Sequence, residues 1–316
     1  MRTKWFLFVG LILFSFKSQA CDLCSMYLTI NPNDYKHSLQ LNYRYRSAEA
    51  LIKQGFLSAQ AHVAEGYYPY DTYVKEQFQT IDLWGKFYLT QKLQLMVNLP
   101  YHINEYSEND TITQSTQGIG DISALALYQV YNSMYDANNN FRQRFNVGGG
   151  IKLPTGSYKE FIDDEFIDED YQLGTGSIDF MINAQYLAKY KRVGLSTNLL
   201  YKINGENNMG YAFSNGLSAD IKLFYQQPIG SKTVFMPEVG IYHEQAERDI
   251  QNRTTVPNTG GKVSYINTGV RLFYNNLALA ANYFVPVSEA LNDFQLANND
   301  RFIVSLTWSF SSKFAE

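Results

Sequence analysis

Beyond residue 24 this 316-residue chain contains no cysteine. A disulfide framework therefore does not hold its body together. After residue 16 there is no second long apolar run, and mean hydropathy is below zero, which excludes membrane-spanning helices. Net charge is only −4, so nothing marks nucleic acid as a partner. Prolines are few, 8 in all, and scattered. No linker divides the chain, which leaves one domain of a size ordinary for a barrel. The histidines are His37, His62, His102 and His243. No nucleophile and orienting partner are spaced with any of them, so the sequence does not read as an enzyme. What is abundant is aromatic, 25 Tyr and 21 Phe, and that content excludes disorder.

The N-terminus reads as an export signal. Arg2 and Lys4 precede the apolar run Trp5 to Phe16, and Ser18 and Ala20 supply small residues at the −3 and −1 positions of a cut after Ala20. The run is too short to cross a bilayer, so residues 1–20 are predicted to be a cleaved signal peptide. The segment 21–35 is then a periplasmic lead, and residues 36–316 are the folded body.

Period-two alternation dominates that body. In 93–103, Leu93, Leu95, Val97, Leu99, Tyr101 and Ile103 share one face, while Gln94, Met96, Asn98, Pro100 and His102 share the other. Such segments recur roughly at 36–48, 76–89, 92–104, 118–131, 141–153, 176–188, 193–204, 213–226, 233–245, 263–274, 277–288 and 300–310. Their length suits a tilted strand crossing a membrane. Long gaps alternate with short turns such as 90–91 and 275–276; the one longer turn is 132–140. This is the arrangement of an all-β, 12-stranded antiparallel transmembrane β-barrel of the bacterial outer membrane, with short turns and both termini in the periplasm.

The apolar face is predicted to meet lipid. Tyr45, Tyr101, Tyr128, Tyr186, Tyr201, Tyr225, Tyr274 and Tyr283 lie near strand ends on that face, as interfacial girdles. The other face carries Arg44, Arg46, Asp82, Lys86, Asn98, His102, Asp121, Arg142, Arg144, Lys152, Asp179, Lys202, Asp220, Lys222, Glu238, Arg271 and Arg301. An Arg or Lys facing lipid at the midplane costs about 2–4 kcal/mol, so these are predicted to line the lumen. Nothing in that set reads as a hydrophobic conduit. The final strand, with Phe302, Val304, Leu306, Trp308 and Phe310 on one face, is similar to the C-terminal signal read by barrel-insertion machinery.

Four strings in order, VNLPYHI at 97–103, GIGDISALALYQV at 118–130, GGGIKLPTGS at 148–157 and YQLGTGSIDF at 171–180, precede a closing YFVPVSEAL…DRFIVSLTWSF. In order and spacing the chain resembles the bacterial outer-membrane transporter family labelled phenol-degradation meta-pathway protein, over roughly residues 36–310. That family is distantly similar to channels for fatty acids and aromatic hydrocarbons. The resemblance implies a transporter for small, aromatic or hydrophobic solutes. On the residues alone the glycines and prolines of these strings are turn formers.

Two features stand apart. The loop at 155–174 holds Glu160, Asp163, Asp164, Glu165, Asp168, Glu169 and Asp170. Oxygen-rich clusters can take a divalent cation or bridge one to lipopolysaccharide; the plainer expectation is a solvated outer loop. A non-conducting barrel that binds ions, lipopolysaccharide or a partner through 49–75 and 155–174 is the alternative function. Cys21 and Cys24 form a Cys-x-x-Cys pair beside the cut site. An oxidising periplasm favours a local disulfide. Lipidation of Cys21, soft-metal capture by half a site and idle free thiols stay open. No other cofactor is implied, and the partners expected are membrane lipid, lipopolysaccharide and the insertion machinery.

Overall fold

The computed structural model describes residues 35–53, 70–134, 136, 138–162, 165–293, 295–312 and 314. The predicted signal peptide, Cys21 and Cys24 lie outside the described residues. Within them, twelve antiparallel strands close on themselves. These are β1 (Lys36–Ile52), β2 (Thr72–Tyr88), β3 (Leu93–Glu108), β4 in two pieces (Thr111–Ile119 and Ser123–Asn132), β5 (Phe141–Lys152) and β6 (Asp179–Tyr190). They continue as β7 (Val193–Ile203), β8 (Gly216–Tyr225), β9 (Thr233–Ala246), β10 (Gly261–Tyr274), β11 (Leu277–Leu291) and β12 (Arg301–Ser311). Each pairs with its neighbours in sequence. β1 meets β12 in register from Lys36↔Ser311 to Tyr45↔Phe302, so the main sheet has no open edge at lipid depth.

The alternation decides which face goes where. Leu41, Leu83, Ile182, Leu223, Ile241, Leu279 and Leu306 are exposed on the outside. Asn42, Asp82, Asn98, Asp179, Lys202, Glu244 and Arg301 are buried on the inside. Polar interior and apolar exterior invert the pattern of a water-soluble domain, and the apolar surface is far larger than water tolerates.

Short joins at 89–92, 133–140, 191–192, 226–232 and 275–276 gather at one end, with Tyr35 and Ser312 beside each other there. Long joins at 153–178, 204–215, 247–260 and 292–300 gather at the other. One predicted loop is a strand instead. Residues 111–119 run back along β3, from Tyr101↔Ile119 to Glu108↔Thr111, after a tight turn with positive φ at Asn109 and Asp110. The sequence there, TITQSTQ, is β-forming but lacks apolar alternation, because this hairpin stands beyond the apolar band and has no lipid face to cover. At 120–122 the pieces of β4 change partner, with the Gly120 amide donating to the Pro100 carbonyl at 2.9 Å.

The interior is not uniformly polar, contrary to the sequence expectation. Trp84, Met96, Leu125, Leu127, Met181 and Leu200 pack together on the β2–β7 side. Tyr242, Val263, Tyr265, Phe284 and Ile303 pack together on the β9–β12 side. At the short-turn end Met134, from the longer turn, enters the barrel and joins Leu187, Phe224, Met236, Phe273 and Ala278. Twelve strands leave little room inside. Glycines on β5 create some of the fit: a Cβ on Gly148 would stand 1.9 Å from the Ala126 carbonyl oxygen.

Candidate functional site

The long join 153–178 does not stay in solvent. Its middle dips into the long-join end of the barrel, a correction to the expected solvated loop. Apolar residues interrupt the acidic run, and burying them drives the dip. Ile167 and Tyr171 are buried against Ile52, Val74, Phe78, Tyr106 and Leu296. The Tyr171 ring stacks on Phe78 at a centroid separation of 5.4 Å and meets Tyr106 edge-on at 6.1 Å. Burial and the carboxylate of Glu76 hold its phenol well above the ordinary range. A short 3-10 turn, Glu169–Tyr171, presents the ring, and Asp168 caps it by accepting from the Asp170 amide at 3.1 Å. The Tyr171 carbonyl accepts from Asn104 Nδ2 at 3.1 Å.

Both limbs of this loop are fastened to one carboxylate. Asp121 Oδ1 accepts from the Gly156 amide at 2.9 Å, and Oδ2 accepts from the Thr175 amide at 2.9 Å. Asp121 Oδ2 also meets Lys152 Nζ at 2.6 Å. Lys152 in turn pairs with Asp179 at 2.7 Å and donates to Thr175, and Lys202 reaches Asp179 at 3.3 Å. All four charged side chains are buried. Buried charges persist only when paired and hydrogen-bonded, and here two carboxylates meet two ammonium groups.

Beneath the loop lies a cavity of about 180 Å³. Of the predicted lumen set, Arg44, Arg46, Asp82, Asn98, His102, Asp121, Lys152, Lys202 and Arg301 line it. Arg44 grips Asp82 with two bonds, Nε at 2.5 Å and a terminal nitrogen at 3.2 Å. Asn98 donates to the same carboxylate at 3.3 Å, and His102 meets Thr80 at 3.1 Å. Arg46 lies over the Phe78 ring at 3.7 Å. Arg301 pairs with Glu244 at 2.7 Å and lies 4.4 Å over the Tyr265 ring. Trp84, Leu173, Met181, Phe213 and Ile303 add apolar surface among further polar side chains such as Asn42, Thr80, Asn104 and Gln172.

The other predicted lumen residues fall into two further groups. Lys222 meets Asp220 at 2.9 Å and Glu238 at 3.7 Å, with Arg271 at 4.0 Å from Glu238, in a lower layer across β8–β10. Lys86, Arg142 and Arg144 stand near the short-turn end. Of the acidic-loop candidates, Glu169 and Asp170 line the cavity and Asp168 serves as a cap. Asp163, Asp164 and the side chain of Glu165 lie outside the described residues. Missing from the sequence reading are the inward apolar residues. Their signal is in SALALYQV, where Ala124, Ala126 and Tyr128 alternate with Leu125 and Leu127, so both faces are apolar.

The join 204–215 reaches the cavity through Phe213, and the join 247–260 is tied to it. Asp249 accepts from Tyr211 Oη and from the Ser214 amide, both at 2.7 Å, and its own amide donates to Thr259 at 2.9 Å. Burial first, and Asp170 of the inward loop second, push its carboxyl up to about 6. A folded-state value above the unfolded one favours the protonated, folded form. Its contribution to loop order is thus fully present below the unfolded carboxylate value and lost as pH rises through about 6. Backbone protection of 204–215 and 247–260, followed by hydrogen exchange and corrected for intrinsic rate, is expected to be higher at acid pH. Asp249→Asn should remove that dependence.

This geometry has relatives. Residues 69–299 match the family described as MetA-pathway of phenol degradation. The chain belongs to that family. No curated protein matches the chain in sequence. Among solved structures, the COG4313 outer membrane channel from Pseudomonas putida F1 superposes with a TM-score of 0.61 at 15% identity, covering 89% of this chain and 100% of that one. A Pseudomonas aeruginosa FadL homologue gives 0.39 at 9% identity, with 87% and 90% covered. The CymD monoaromatic hydrocarbon channel gives 0.34 at 8% identity, with 91% and 92% covered. The first of these shows the fold: an outer-membrane β-barrel.

Proposed function

We propose that this family member is an outer-membrane channel for small solutes that are largely apolar, aromatic compounds among them, and that carry a polar group. The observation that carries the reading is the cavity itself. Charged and hydrogen-bonding groups make up much of its lining, and Trp84, Met181 and Ile303, from the two inward apolar clusters, join Leu173 and Phe213 as apolar surface. A pocket of that kind takes an amphipathic molecule and pays little desolvation for its ring. Family membership and the channel fold of the Pseudomonas putida relative support the reading. No catalytic step is assigned. In this reading the long joins face the exterior, and the short turns and both termini face the periplasm. The solute enters past Tyr171, rests against the cavity's apolar wall and leaves near Met134.

Purified protein in liposomes tests this. Uptake of a labelled aromatic such as toluene or phenol is expected to exceed that of protein-free vesicles. Equal uptake, together with absence of conductance in planar bilayers, would sink the channel reading.

A further inference from the structure

His243 has no part in the lumen. Its neighbours on β9, Tyr242 and Glu244, are buried inside the barrel, so alternation turns His243 to the outer wall. Ser264 on β10 lies between buried Val263 and Tyr265 and is turned the same way. The two are 21 residues apart in sequence, where no spacing singles them out. In the sheet they are directly opposed, and Ser264 Oγ stands 2.8 Å from His243 Nδ1. The other ring nitrogen, Nε2, stands 3.5 Å from Gln245 Oε1. That oxygen can only accept, so Nε2 carries the proton and Nδ1 is left to accept from the Ser264 hydroxyl. A hydroxyl within hydrogen-bond reach of a base, with the base oriented by a third group, is the arrangement of an activated nucleophile.

The surroundings are apolar. Ile241, Ile266 and Val285, the next outward residues toward the short turns, are exposed on the lipid side, and so is Leu199. Ala219 opposes His243 on its other flank. An ionisable side chain set in a lipid-facing wall is costly and points to function. The ladder supplies a second observation. Ser264 opposes Ser288 and Tyr265 opposes Pro286, so Val287 is left without a partner. Such bulges re-aim side chains and recur beside active sites. Lys262 shares the outward face two residues from Ser264 and opposes Gln245. With Ser288 it offers donors where negative charge would gather on an attacked carbonyl.

We propose that Ser264 and His243 are the nucleophile and base of an acyl-ester hydrolase that works on membrane lipid. Ser264 Oγ bonds to the ester carbonyl carbon while its proton passes to His243 Nδ1. The bond from that carbon to the lipid alcohol breaks, and the alcohol leaves with the proton. Water then attacks the acyl-serine and gives a proton to the same nitrogen. A fatty acid leaves, and Ser264 recovers its proton. Position sets the substrate class. His243 lies just short of the end of β9 at Ala246, where the apolar wall gives way to the long joins. Acyl esters lie at that boundary between chains and headgroups. Glycerophospholipid and lipid A both carry them. The outer wall does this work, so the activity is separate from passage through the lumen.

The full-length protein in detergent micelles, treated with a fluorophosphonate, tests the nucleophile. The adduct is expected on Ser264 by peptide mass spectrometry. It should be absent from His243→Ala, with heat-modifiable mobility on gels confirming a folded barrel. Vesicles of acyl-labelled phosphatidylethanolamine, or of the same lipid unlabelled with acyl-labelled lipid A, test the reaction and separate the two sources. Wild type should release labelled fatty acid from at least one. Ser264→Ala and His243→Ala should each lower release by about a hundredfold or more. Gln245→Leu should lower kcat with KM unchanged, and Gln245→Glu should restore much of it, as a positioning residue requires. No adduct on Ser264, release undiminished in folded Ser264→Ala, or no release from either lipid would each overturn the proposal and leave the channel reading standing.

Discussion

Asp179→Ala is expected to destabilise the barrel by about 3–5 kcal/mol, the usual consequence of removing one partner from a buried ion network. Asp179 is fully enclosed. It stands between two buried ammonium groups, Lys152 at 2.7 Å and Lys202 at 3.3 Å, and accepts from Ser177 Oγ at 2.8 Å and the Gly205 amide at 3.1 Å. Without it, Asp121 still pairs with Lys152 but the bridge to Lys202 is gone, and the two cations repel across a space that water enters poorly. The first strand-end of β6 and the start of the 204–215 join lose their common anchor. Thermal unfolding followed by heat-modifiable gel mobility is the measurement. Asp179→Asn keeps the shape and two of the hydrogen bonds but not the charge, so it should lose nearly as much. If the asparagine variant matches wild type, the network is not holding this wall together.

Tyr171→Ala should do the opposite kind of damage. Truncating a fully buried aromatic costs about 3–5 kcal/mol, but here the loss falls on a loop rather than on the sheet. The ring sits among Phe78, Tyr106, Val74 and Ile52, and nothing else in the 3-10 turn replaces it. The outer lip of the loop is expected to lift while Asp121 still holds Gly156 and Thr175. Single-channel conductance should then rise severalfold, and gel mobility and melting should stay close to wild type. Unchanged conductance would show that the passage does not run beneath this loop.

The two variants also separate what was legible in the sequence from what was not. Strand number, faces and closure were written in the period-two pattern, since one face of each strand meets lipid. Positions such as Leu41 and Leu306 therefore could hardly be anything else. The charged lumen set was legible by the same parity, and Arg44, Asp82, Lys152 and Arg301 all stand around one cavity. Parity says nothing about height or about loops. It could not show that Asp121 and Asp179 share Lys152, because that contact joins three separate strand ends. It could not show that the acidic run folds inward, because hydrophilic composition hid the two residues, Ile167 and Tyr171, that do the folding. Inward apolar residues were passed over for a related reason. Leu125 and Leu127 lie on a strand apolar on both faces, and alternation is silent where both faces agree.

The seam between β1 and β12 governs when this protein can exist in its finished form. Lys36 opposes Ser311 and Tyr45 opposes Phe302, so the first strand waits for the last. Until the final strand arrives, both are bare edges, able to pair with any other extended chain. A chain cut short by a few dozen residues is therefore not a smaller barrel but an open sheet with two reactive margins. Pairing of the first strand with the last is the step that removes both margins at once.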